Sequence, residues 1–165
     1  MLSLEKSEYP FKLETIVKST DQKKILFDLF KKRVEAEKIS AKKYQNFKEH
    51  CNFVENHPYR YWFLIWSGAN YVGSLYVTKN NHIGVYLINS HSSFMKPILS
   101  YVVKKFKPLP EIPSVRAKGF HINISLKNEL YDRILKGMGA IAYQKTFILD
   151  KDLIEETMGK SLIKK

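Results

Sequence analysis

The residues of this chain that could do chemistry fall into two groups. The stretch INSHSSFMKPIL (88–99) reads as the end of a buried strand, a polar turn and the start of a helix with a proline in its first turn. Such a corner offers unpaired backbone N–H groups and the positive end of a helix dipole, which together suit a phosphate. Ser92 and Ser93 add hydroxyl donors and Lys96 a cation. No glycine lies between Gly84 and Gly119, however, so the backbone of this corner is screened by side chains, and Pro97 lacks an N–H altogether. The second group is made of imidazoles. His82 and His121 titrate near neutrality in their ordinary state and can move protons, and His91 sits in the polar turn itself.

Other chemistries lack their residues. The histidines at 50, 57, 82, 91 and 121 and the single Cys51 show no metal-ligand spacing, so no metal is expected, and one cysteine forms no internal disulfide. Serine-hydrolase and nucleotide-loop signatures are absent. The aromatic run Tyr59, Tyr61, Trp62, Phe63 and Trp66 alternates as a buried strand does and reads as core rather than as a base-stacking surface. The formal charge of +12 is built largely from lysine, with only Arg33, Arg60, Arg116 and Arg133 as arginines. Lysine attracts polyanions at long range but recognises them poorly in detail, so no nucleic-acid partner is expected from the charge.

Stepping along the chain gives the elements that must carry these groups. YPFKLETIV (9–17) has strand character and Ser19-Thr20-Asp21 is an N-cap cluster for a helix whose Ile25, Leu26, Leu29, Phe30 and Val34 share a face. Ser40 can cap a second helix with a Tyr44, Phe47, Cys51, Val54 stripe, ended by His57-Pro58. Three close strands, 59–66, 71–78 and 82–88, predict an antiparallel meander. A helix at about 97–106, a stiff connector through Pro108, Pro110 and Pro113, a strand at 115–124, a helix to Lys136 stopped by Gly137 and Gly139, and a last strand at 140–149 complete the order βααβββαβαβ. The reading is a single α/β domain, strictly α+β, with its core in 10–149 and a charged tail at 150–165. Its length and 44% hydrophobic content suffice for one core, and the lack of an 18-residue apolar run predicts a soluble, cytoplasmic chain with no membrane partner.

Two segments carry a resemblance. HINISLKNELYDRILKGMGAIAYQKTFIL (121–149) is similar to the closing strand, asparagine-led helix, glycine turn and last strand of the GCN5-related N-acetyltransferases, and ENHPYRYWFLIWSGANYVGSLYVTKNNHIGVYLI (55–88) resembles the meander of that superfamily. The resemblance implies the acyl-CoA N-acyltransferase fold, a mixed sheet of six to seven strands splayed between the strands at 82–88 and 115–124. It implies acetyl-CoA in that gap. Val85, Tyr86 and Leu87 would bind the pantetheine arm as an added strand does, and Ser92, Ser93, Phe94, Met95 and Lys96 would meet the diphosphate. Asn123 and Asn128 would line the cofactor arm, Asn128 being equally the N-cap of its helix.

The implied reaction moves an acetyl group to a primary amine of a small molecule of amino-sugar or amino-acid type. It needs a base, for which His121 on the flanking strand stands first, and an acid for the departing thiolate. The family's tyrosine position falls here on Leu135, leaving Tyr131 one turn earlier and Tyr143 on the last strand as replacements. With an eroded diphosphate corner, the alternative is a GNAT-fold interaction module that does not use acetyl-CoA. Either form is expected as a monomer or homodimer.

Overall fold

A computed structural model of the chain describes residues 9–33 and 46–147. Strand β1 (Lys12–Thr15) leads to helix α1 (Thr20–Lys32), where the Ser19 hydroxyl accepts the N–H of Gln22. Helix α2 (Phe47–Glu55) starts from Asn46 in a full capping box with Glu49. The cap is therefore Asn46; Ser40 and Tyr44, expected at this helix, lie outside the described residues. Strands β2 (Tyr59–Ser67), β3 (Asn70–Thr78) and β4 (His82–Leu87) form the meander. A 3₁₀ helix (Asn89–Phe94) runs into α3 (Met95–Lys105), and β5 (His121–Ile122) precedes α4 (Glu129–Gly137).

The five strands lie in sequence order β1-β2-β3-β4-β5, antiparallel except for the parallel pair β4 and β5. Helices cover both faces, which is why β2 is apolar on both sides. Leu26 and Leu29 of α1 and Val54 of α2 bury Trp62, Leu64 and Tyr86 on one face. Met95, Ile98, Leu99 and Val102 of α3 bury Ile65, Leu75, Ile83 and Leu87 on the other, joined there by Tyr131 of α4. Side chains two apart share a face of a strand, so His82, Gly84 and Tyr86 look towards α1 while Ile83, Val85 and Leu87 look towards α3 and α4. Among the described residues no helix is long and apolar enough to cross a membrane.

One polar residue organises the far half of the sheet. Asn81, fully buried at the head of β4 with a φ of 63°, donates from Nδ2 to the carbonyl of Leu109 (2.9 Å) and accepts the Leu109 N–H at Oδ1 (2.7 Å). Its carbonyl accepts the N–H of His121 (3.0 Å). A single side chain thus fastens the proline connector beside the start of β5.

Two expected strands differ. Of 115–124 only His121–Ile122 pairs, because the chain before it turns back on itself: Ile112 and Arg116 form a bridge, and Ser114 (φ 61°) and Gly119 (φ 81°) take left-handed turns. Of the expected strand at 140–149, residues 140–147 join no ladder, with Ile141 86% and Phe147 81% exposed, and the remainder lies outside the described residues. The described sheet therefore has five strands rather than six or seven; a two-residue β5 offers almost no edge for a further neighbour. Gly139, at φ 84°, is the glycine that ends α4, while Gly137 remains helical.

Candidate active site

The site is a gap in the sheet. β4 and β5 are in register only at His82 with His121 and Ile83 with Ile122, and beyond Ile83 no described strand pairs with β4 on this side. In a parallel ladder one residue directs both its N–H and C=O to the same neighbour and the next directs neither. That alternation turns the backbone groups of Val85 and Leu87 into the gap. The expected splay between the strands at 82–88 and 115–124 is present. Val85 and Tyr86 form one wall of the resulting cleft, and Asn123, Asn128 and Tyr131 line it from the side of β5 and α4.

Tyr131 enters from the α4 face. Its ring is 6% exposed and its hydroxyl accepts the Leu87 N–H at 3.2 Å, across the space that a sixth pairing would otherwise fill. The tyrosine is held there by Asn128, whose Oδ1 accepts the Tyr131 N–H (3.1 Å) as the N-cap of α4. Asn128 is thus both cap and cleft wall. Asn123, two residues past His121, looks into the cleft from the α1 face.

On that α1 face the cleft is bounded by groups the sequence reading did not single out. Tyr76 lies opposite Gly84 across the ladder, and its ring covers the glycine so closely that an added Cβ would come within 2.0 Å of it. The ring is stacked in turn on Tyr59, centroids 4.1 Å apart and 10° from parallel, and burial holds the Tyr59 phenol above its usual range. Arg33, the C-cap of α1, sets its guanidinium over the Tyr86 ring at 4.8 Å and also borders the cleft. Its Nε is buried with no hydrogen-bond partner. The only advance sign of these residues was a glycine in mid-strand and an arginine in a chain that mostly uses lysine.

The histidines lie beside the cleft rather than in its wall. His121 has a fixed tautomer, because Nε2 faces the Lys118 carbonyl (3.0 Å), which can only accept. The neutral ring then accepts at Nδ1 from the Tyr143 hydroxyl (3.0 Å). Two of the three expected catalytic residues, His121 and Tyr143, are therefore partners of each other, with Tyr143 66% exposed. His82 stands 6.1 Å away, edge to face; burial and the neighbouring His121 keep its pKa below the ordinary imidazole value.

The corner at 88–99 is built differently from a glycine loop. The 3₁₀ turn passes directly into α3, the Met95 N–H being bonded to the Ser92 carbonyl. Met95 is fully buried in the core, so its side chain is not available to a ligand, and Phe94 packs on the same core. Ser93 and Lys96 are exposed and Ser92 is partly so. Where a glycine loop brings backbone to a phosphate, this corner offers a hydroxyl and an ammonium. Among the described residues no cluster of three or more His, Cys, Asp or Glu side chains could hold a metal ion.

Comparison with known proteins bears on the fold. No family model and no curated protein sequence matches the chain. Among solved structures, the N-acetyltransferase PseH of Campylobacter jejuni superimposes with a TM-score of 0.51, at 14% identity, over 83% of this chain and 92% of that one. A possible acetyltransferase of Clostridium difficile 630 gives 0.55 at 8% identity over 85% and 97% of the two chains. An aminoglycoside acetyltransferase from an uncultured soil metagenomic sample, solved with sisomicin, gives 0.51 at 11% identity over 86% and 95%. The chain has the fold of the GCN5-related N-acetyltransferases.

Proposed function

We propose that this protein is an acetyl-CoA-dependent N-acetyltransferase acting on a primary amine of a small molecule, of amino-sugar or amino-acid type. The observation that carries the reading is the cleft at the β4–β5 divergence with the Tyr131 hydroxyl seated on the Leu87 N–H. The cleft fits the pantetheine arm: Val85 turns backbone donor and acceptor into a space where no described strand meets them, as β-augmentation requires. Ser92, Ser93 and Lys96 would meet the diphosphate at the neighbouring corner. Acetyl-CoA supplies an acyl group activated as a thioester.

The chain's own residues then have distinct tasks. The N–H of Leu87 donates to the Tyr131 oxygen and fixes it at the cleft, where its phenolic proton can pass to a thiolate. Tyr131 is therefore the acid, in preference to the exposed Tyr143. An amine that arrives protonated loses its proton to water or to a ring already neutral at physiological pH, and His82, held below the usual imidazole range, is such a ring. His121 can accept only at Nδ1, through the Tyr143 hydroxyl. The test is turnover: with acetyl-CoA and a panel of amino sugars and amino acids, free thiol should appear with at least one amine, matched by acetylated product in the mass spectrum. Thiol release no faster than in the absence of amine, across the panel, would leave the interaction module as the better reading.

A further inference from the structure

The acceptor side of the cleft contains a cation with no carboxylate partner among the described residues. Among the described residues Arg33 makes no side-chain hydrogen bond and no ion pair; its guanidinium stands over the face of Tyr86, and its charge also acts on the Tyr59 phenol. Among the described residues no Asp or Glu lines the cleft. Among the described carboxylates of β1 and α1, Asp28 is engaged with Lys32 and Tyr71, and Glu14 with Gln22 and Trp66. A guanidinium attracted to an aromatic face still has N–H groups to donate, and its fork of donors matches the two oxygens of a carboxylate or phosphate. Gly84 makes room for the Tyr76 ring beside it, and Asn123 adds a neutral donor and acceptor across the gap. Tyr131 enters from the opposite face of the sheet, so Arg33 is placed to hold the acceptor rather than to act on the departing thiolate.

We infer that the amine accepted in this cleft also carries an oxyanion, a carboxylate or a phosphate, and that Arg33 binds it. The inference rests on the acetyltransferase reading for the word acceptor, but anion binding by Arg33 is measured without acetyl-CoA. The full chain is titrated calorimetrically with two matched pairs, glucosamine 6-phosphate against glucosamine and β-alanine against β-alaninamide. One anionic member at least should bind roughly tenfold to a hundredfold more tightly than its neutral twin, the range of a charge-assisted hydrogen bond. Which pair responds separates phosphate from carboxylate. Arg33→Gln should erase the preference and Arg33→Lys should keep part of it, with melting temperature checking the fold of each. If Arg33→Gln does not fold, the wild-type pairs and the lysine variant still decide.

Acetyl-CoA is titrated separately, and its affinity should be the same in wild type and both variants. Equal binding of both twins in each pair, or no binding of any of the four, overturns the inference. So does a preference that survives Arg33→Gln, or a variant that loses acetyl-CoA and leaves the amines unchanged. Failure of wild type to bind acetyl-CoA counts instead against the acetyltransferase reading, and leaves the anion preference to stand or fall by its own titration.

Discussion

Replacing Tyr131 by Phe removes one oxygen and nothing else. That oxygen accepts the Leu87 N–H at 3.2 Å in a position 6% exposed, so the variant leaves a buried donor without this partner. An unsatisfied buried donor costs about 1–3 kcal/mol. For a chain of this size that corresponds to a fall in melting temperature of roughly 2–4 °C for each kcal/mol. If Tyr131 is also the acid, the rate should fall by roughly 100-fold or more, the usual contribution of general acid catalysis. The two effects are read separately, stability by calorimetry and turnover by thiol release at a temperature well below the melting point. Acetyl-CoA affinity should change little, because the phenyl ring still fills the core. A variant that melts lower but turns over at the wild-type rate would refute the acid role and leave Tyr131 as a prop for β4.

Further outcomes follow from the same structure. Asn81→Ala removes both bonds to Leu109 and puts alanine at a φ of 63°, and should cost about 2–4 kcal/mol in urea unfolding, with the connector at 106–112 exchanging amide hydrogens faster. Gly84→Ala places a methyl group where the Tyr76 ring now lies, and should destabilise by about 1–3 kcal/mol while breaking the Tyr59 stack, visible in near-ultraviolet circular dichroism. Lys96→Ala should weaken acetyl-CoA roughly tenfold without changing stability, since the side chain is exposed; unchanged affinity would put the diphosphate elsewhere. His50, His57 and His82 all have pKa values lowered by burial from an ordinary 6.5. The unfolded chain therefore binds protons near pH 6.5 that the folded chain takes up only at lower pH, and stability should fall as pH drops from about 6.5 through the folded values. His50, which donates from Nε2 to the Lys23 carbonyl, should carry part of that slope, so His50→Gln should flatten the dependence of melting temperature on pH.

Much of the frame was legible because local signals agreed with tertiary need. The Ser19 cap, the meander at 59–88 and the Asn128 cap each rest on neighbours in sequence, and each stands as read. The strand at 115–124 did not survive because apolar character cannot tell a strand from a loop whose ladder partner has diverged. There the outcome was decided by Asn81, which is forty residues upstream of His121 and holds the connector through groups that look like an ordinary turn. The site divided along the same line. Val85, Tyr86, Asn123, Asn128 and Tyr131 converge because they sit on the two edges of one gap. Arg33 and Tyr76 reach it from α1 and β3, by cross-sheet packing that leaves no spacing to detect. Met95 was expected at the ligand and lies in the core, because the polar turn coils into a 3₁₀ helix that rotates it inward.

The central claim is that the divergence of β4 from β5 receives acetyl-CoA, and calorimetric titration of the purified 165-residue chain with acetyl-CoA tests it most directly. The account predicts saturable one-to-one binding in the micromolar range, with new amide protection on binding confined to Val85 and to the corner at 91–96. A folded protein that takes up no heat and shows no protection at any acetyl-CoA concentration would contradict it.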